Sequence, residues 1–196
     1  MVGDHPFGLD QIISDCLLLL DGGAETTRTV IARILVALAD RPDQWELLKG
    51  GADLAVATEE FIRWVTPIHN MCRVAAVDTE VAGTPIPEGA MLWVMFGSAN
   101  RDERVFPDPD RFDPARTNLN DSVAFGRGAH FCIGAPLARL EIRVLFEELA
   151  KRLESVGFAP GSILEYEPSF ILRGLKELEI EVVRRPPSAL LEGRSE

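Results

Sequence analysis

The sequence predicts a mainly α fold with small antiparallel β-sheets at one edge. Three observations carry that expectation. A helical pattern over 9–39 is long enough for a rod of about 45 Å at ~1.5 Å per residue. Short β-prone pieces near 73–76 and 91–95 are separated by turn signals. A glycine-punctuated loop at 125–134 then runs straight into a second long helical pattern. At 196 residues the chain is long enough to bury a substantial core as one domain.

Pro42 ends the first helix, and a Gly22-Gly23 pair interrupts its middle, at a cost of about 1 kcal/mol per glycine relative to alanine, so the pair needs a reason. Pro42 also opens a short second helix that stops at Gly50-Gly51, and a third spans 54–65 and halts before Pro67. Ala82-Gly83 and Glu88-Gly89 mark turns between the extended pieces. From Asp102 to Asn120 the density of Pro, Asp and Arg predicts an irregular meander. From Ala135 to about Val156, the apolar residues Leu137, Leu140, Val144, Leu145 and Leu149 recur at helical spacing and predict a helix. Two further strands, 169–172 and the alternation Leu178, Ile180, Val182, read as a half-buried hairpin. Residues 1–185 form the expected domain, and 186–196, opening with Pro186-Pro187, a loose tail.

With 31 acidic and 20 basic side chains the formal charge is -11, which argues against a nucleic-acid partner. Three cysteines, Cys16, Cys72 and Cys132, are too few and too scattered for a disulfide framework, which points to a reducing, cytoplasmic setting. Apolar runs such as 16–20 are far too short to span a bilayer and no secretory leader precedes that run, so a soluble chain with no membrane partner is expected.

The stretch 125–134 reads F-G-R-G-A-H-F-C-I-G and is suited to holding a thiolate. Gly126 and Gly128 permit left-handed or tight backbone, so the chain can fold under a flat ligand and present the sulfur of Cys132. The sulfur then lies near a helix amino terminus, where unpaired N–H groups and the positive end of the dipole favour an anion. Pro136 suits the first helical turn, and Gly134 lets the helix backbone approach whatever the sulfur binds. A buried free cysteine behind a glycine loop is the plainer alternative.

The spacing F-G-x-G-x-H-x-C-x-G resembles the haem-thiolate signature of the cytochrome P-450 superfamily. The resemblance implies the carboxy-terminal half of that fold, from its long oxygen-binding helix to its terminal β-hairpin. It implies haem b (iron protoporphyrin IX) with Cys132 as axial ligand, whose electron donation favours O–O cleavage. Gly22, Gly23, Ala24, Glu25, Thr26 and Thr27 resemble the family's oxygen-binding bend, where small residues carry the helix over the distal haem face with a local opening. Thr26 would donate a proton there and Glu25 would link it to solvent. Arg73 and His130 are implied to bind haem propionates by charge-assisted hydrogen bonds. Phe125 is implied to pack against the haem edge or the thiolate.

By the same resemblance Glu60 and Arg63, an E-x-x-R pair, join Arg111 of the P-D-R-F stretch in a structural cluster that locks the meander against its helix. Motif order points Ile68, His69, Ile171 and Leu172 toward a substrate. Arg139 and Arg143, one turn apart, are placed to dock an acidic electron-transfer partner.

The function so implied is a monooxygenase that inserts one atom of O2 into a small organic substrate with electrons from a ferredoxin-type donor. A full family domain is about twice this long, so the amino-terminal half is the expected missing portion. The alternatives are a truncated, non-catalytic haem-binding fragment and half of a split enzyme that pairs with that portion. A thiolate enzyme without oxygen chemistry is disfavoured by the Glu25-Thr26 pair, which a peroxide-driven reaction does not need.

Overall fold

The computed structural model describes residues 7–186. The first helix, α1 (Leu9–Ala39), runs unbroken through Gly22 and Gly23, so the expected opening at the glycine pair is not present. Its carboxy-terminal half buries Thr29, Val30, Ile34, Ala37 and Leu38, whereas its first half leaves every residue from Leu9 to Ala24 exposed. Helix α2 (Pro42–Lys49) starts on the proline, as the fixed φ of that residue allows. Helix α3 (Leu54–Val65) is capped by Asp53, whose carboxylate accepts from the N–H groups of Ala55 at 2.8 Å and Val56 at 3.3 Å. It ends on Thr66, a β-branched residue held at φ 41°, which turns the chain away before Pro67.

Strand β1 (Met71–Val74) pairs antiparallel with β4 (Met91–Val94), setting Arg73 opposite Leu92. Between them β2 (Thr79–Val81) and β3 (Thr84–Ile86) form a tight hairpin whose turn, Ala82-Gly83, lies at positive φ. The turn was legible in the sequence, but its three-residue strands were too short to register. A short helix, α4 (Phe96–Ala99), leads into a stretch without regular structure that extends to the cysteine loop, as the meander composition predicts.

Helix α5 (Ala135–Arg152) is shorter than predicted, and residues 153–156 belong instead to β5 (Leu153–Phe158). That strand pairs antiparallel with β6 (Ile180–Arg184), which corrects the expected hairpin of 169–172 with 178–182. The reason is tertiary: Leu153 and Val156 are buried in the core, and the Trp45 indole N–H donates to the Glu154 carbonyl at 3.1 Å. Residues 169–172 do not form a strand with β6 but touch the chain elsewhere, through a bridge from Leu172 to Ile68 and hydrogen bonds from His69 and Asn70. The expected loose tail, 186–196, lies outside the described residues but for Pro186.

The core sits where α1, α3 and α5 pack on one another and on β5. Phe61 is its centre, 4.9 Å from Phe146 edge-on and 5.9 Å from the stacked ring of Phe112. On α5 the buried stripe is Ala135, Ile142, Phe146 and Ala150, whereas Leu137, Leu140 and Val144 face outward. Leu149, at the same helical spacing, packs against the core beside that stripe.

Candidate functional site

The backbone of the 125–134 loop fixes Cys132 from both sides. Its N–H donates to the carbonyl of Phe125 at 3.0 Å, and its own carbonyl accepts from Ala135 at the start of α5. Gly126 and Gly128 both sit at φ 71°, the left-handed region that a side chain disfavours. They frame a 3-10 turn, Gly128–His130, that leaves His130 exposed two residues before the sulfur. Gly134 has an ordinary φ of −83°, so its value is space: a Cβ there would stand 3.8 Å from Cys132 Sγ. The thiol itself is free and half-buried, flanked by the exposed side chains of Phe131 and Ile133.

Beneath this loop lies a fully buried ion pair. Arg63 grips Glu60 with Nε at 2.6 Å and Nη2 at 2.8 Å, both side chains being 0% exposed. Its remaining nitrogen, Nη1, donates to the carbonyls of Asn100 at 2.7 Å and Pro109 at 3.1 Å, so α3 holds the meander through one guanidinium. Glu60 also accepts the N–H of Asp113 at 3.1 Å.

Arg111 takes no part in this cluster. Its side chain is exposed and reaches only Asp113, at 3.7 Å. The third charged member is Arg116, buried, with Nε 3.3 Å from Glu60 Oε2 and its other nitrogens on the carbonyls of Pro107, Asp108 and Arg111. The physical reason is chain direction: Phe112 turns inward to stack on Phe61, which leaves Arg111 on the outer side and brings the next arginine of the turn inward.

Two further residues of the cluster were not singled out from the sequence. Asn100, fully buried, donates to the Thr66 hydroxyl at 2.8 Å and accepts the N–H of Val123 at 2.8 Å, joining the end of α3 to the approach of the cysteine loop. Thr66 in turn donates to the Arg63 carbonyl at 2.7 Å. A buried asparagine carries no sequence signal beyond its identity.

On α1 the hydroxyl of Thr26 donates back to the Gly22 carbonyl at 2.6 Å, and Glu25 pairs with Arg28, one turn on, at 2.6 Å. Both stay close to solvent. Arg73 lies exposed on β1, its Nη1 on the Cys72 carbonyl at 2.8 Å. Ile68, His69, Ile171 and Leu172 do come together: Ile68 bridges Leu172, and the His69 N–H donates to the Ile171 carbonyl at 2.8 Å. Burial is the main cause that lowers the His69 pKa, with Arg33, Arg173 and Arg101 adding to it. Arg139, partly exposed, forks onto Glu59 of α3. Arg143 is exposed and reaches Glu147 at 3.6 Å.

The residues at Cys132 fit a haem. The donor set is a single soft sulfur, and the described residues hold no group of three His, Cys, Asp or Glu that would bind a metal on their own. A lone thiolate suits an iron whose remaining protein-independent ligands would come from a macrocycle. The cleared space at Gly134 and the apolar Phe131 and Ile133 beside the sulfur suit a flat apolar ring.

The cytochrome P450 family model matches residues 54–156, more than half of the chain, and the chain belongs to that family. It is 40% identical over 180 residues to a steroid C26-monooxygenase of Mycobacterium tuberculosis, covering 91% of this chain and 48% of that protein. It is 39% identical over 183 residues to a linalool 8-monooxygenase of Pseudomonas putida, covering 93% and 44%. Among solved structures, CYP109E1 of Bacillus megaterium in complex with testosterone superposes with a TM-score of 0.84 at 33% identity, over 92% of this chain and 50% of that one. The chain thus spans about half the length of the relatives it matches. Among the described residues, no helix is long and apolar enough to cross a membrane.

Proposed function

We propose that the chain is the haem-binding half of a monooxygenase, with Cys132 as the axial thiolate of haem b. The observation that carries this reading is the half-buried Cys132 thiol, pinned by its N–H to Phe125 and given room by Gly134, in a chain of this family. Bound haem supplies the oxygen activation that places one atom of O2 in an organic substrate. The protein's share is to hold, orient and exclude.

Gly126 and Gly128 bend the loop so that the sulfur, not a side chain, meets the ring. Phe125 keeps water from the thiolate, and the His130 imidazole and Arg73 guanidinium supply hydrogen-bond donors for the propionates. Gly22 and Gly23 leave α1 bare of side chains beside Thr26. The Thr26 hydroxyl can donate outward once it leaves the Gly22 carbonyl, and Glu25, released from Arg28, can return a proton to it from solvent. Glu60, Arg63 and Arg116 hold the meander that carries the loop. Ile68, His69, Ile171 and Leu172, already side by side, line the substrate pocket. Two relatives act on a steroid and on linalool by name, which favours an apolar organic substrate here. The electrons come from a ferredoxin-type donor.

The test is the ferrous carbon monoxide spectrum of the chain after haem loading. The reading expects the strongly red-shifted band of a sulfur-ligated centre and its loss in Cys132→Ser. A wild-type chain that binds haem without that band, or a serine variant that keeps it, overturns the assignment.

One observation favours a second reading, half of a split enzyme. Leu17, Leu18, Leu19 and Leu20 on α1 are each more than half exposed, an apolar girdle around the helix that suits a complementary chain. Turnover only on mixing with an amino-terminal half supports it, and stable haem binding with no activity in either case supports a non-catalytic fragment.

A further inference from the structure

The thiolate loop is tied to the helices by a contact that the proposed reaction does not use. The Arg139 guanidinium lies over the Phe125 ring, 4.6 Å from its centroid, and that ring tilts against Phe131 at 6.1 Å. The same guanidinium sends Nε and Nη2 to the two carboxylate oxygens of Glu59 on α3, the second at 3.0 Å. Phe125 in turn accepts the Cys132 N–H at 3.0 Å. One unbroken line of contacts therefore runs from Glu59 through Arg139 and Phe125 to the amide of the cysteine.

The chemistry of the side chains suits that line. A guanidinium is flat, so its edge can fork onto a carboxylate while its face covers an aromatic ring, and a lysine ammonium can do neither in full. The pair is only half-buried, at the wall of a cleft of ≈470 Å³ that Asn120, Arg127 and Phe131 also line. An ion pair so placed adds little to stability through its charge alone. What it adds is orientation, because the ring is held between the guanidinium and the core side chains that Phe125 packs against.

We propose that Arg139 and Glu59 are positioning residues: they clamp Phe125 and so fix the backbone height of Cys132 and the aim of its sulfur. The bearing of this clamp on the iron rests on the haem-ligand reading of Cys132.

The test is amide hydrogen exchange of the 196-residue chain without haem, for wild type, Arg139→Lys, Glu59→Gln and the double variant. The clamp expects the Cys132 amide to exchange about tenfold faster or more in each single variant, with the double no faster than either, while the Phe146 and Val65 amides keep their protection. Cys132 exchange within about twofold of wild type in both singles overturns it, as does acceleration shared equally by Phe146 and Val65, which would mark general loosening. Should a single variant lose core protection outright, the charge-swapped pair Glu59→Arg with Arg139→Glu decides. It restores the ion pair without the stack, so it should fold and still expose the Cys132 amide, and full protection there refutes the clamp. A separate reading on haem-loaded protein expects the red-shifted carbon monoxide band to weaken in Arg139→Lys. If wild type lacks that band, the haem assignment fails while the exchange result stands on its own.

Discussion

Arg116 sets its Nε 3.3 Å from the buried Glu60 carboxylate, while Arg111, five residues earlier, turns its guanidinium out to solvent. Glu60 thus answers two interior cations, Arg63 and Arg116, and these bind four meander carbonyls and that of Asn100 between them. Arg116→Ala is expected to cost about 3–5 kcal/mol, as removal of one member of a buried charge cluster does. Arg111→Ala is expected to stay within about 0.5 kcal/mol of wild type, as an exposed side chain. Denaturant unfolding of the two variants checks this, and equal losses would place the arginines wrongly.

How far the sequence reached is instructive at this cluster. The Glu60 and Arg63 spacing showed that the two share a helix face, since i and i+3 are neighbours by geometry. Which meander arginine completes them was not legible, because Arg101, Arg104, Arg111 and Arg116 all lie in an irregular stretch with no period to assign an inside. Helix α1, the α3 limits and the glycine loop were legible because caps, proline stops and positive-φ glycines are local signals. The β5–β6 pairing was not, because residues 153–156 continue a helical pattern and only burial against α1 and α2 draws them into a strand.

Asn100 binds three segments that are distant in sequence, so its loss should be felt at each. Asn100→Ala leaves the Val123 N–H without its partner inside the protein and removes the donor that the Thr66 hydroxyl accepts, while that hydroxyl keeps its bond to the Arg63 carbonyl. The expected cost is about 1–3 kcal/mol for stranded buried polar groups, read as a lowered thermal midpoint. A midpoint unchanged from wild type would mean that water replaces the side chain.

The loop glycines separate folding from cofactor binding. Gly128→Ala places a Cβ in open space but at φ 71°, so the penalty is purely conformational, about 1–2 kcal/mol. Gly134→Ala meets no such strain, and its methyl instead sits 3.8 Å from the sulfur. It is expected to keep stability within about 0.5 kcal/mol and to weaken haem binding in a titration. Unaltered haem affinity in Gly134→Ala would mean that the ring does not approach this glycine.

The exposed first half of α1 makes a prediction about association. Leu17, Leu18 and Leu20 are 53, 71 and 64% exposed, and glutamine matches leucine in helix propensity. Replacing all three by Gln should leave the thermal midpoint unchanged while removing self-associated species seen by sedimentation of the parent chain. Parent chain that sediments as a monomer at the same concentration would contradict this.

His69 gives a pH dependence with a definite sign. Burial first, then the positive field of Arg33, Arg173 and Arg101, holds its folded-state pKa below the ordinary histidine value of 6.5. Between that folded value and 6.5 the unfolded chain binds more protons than the folded one, so unfolding becomes easier as protons are added. The contribution is fully present above pH 6.5 and is lost as pH falls through this window. His69→Phe removes the titration and keeps a ring of similar size against Gly97, which stands close to the imidazole. Urea midpoints measured from pH 7.5 down to pH 5 should therefore fall more steeply for wild type than for His69→Phe, the difference being the part owed to this one side chain. Parallel slopes would show that the imidazole opens to solvent and takes up its proton while the chain stays folded.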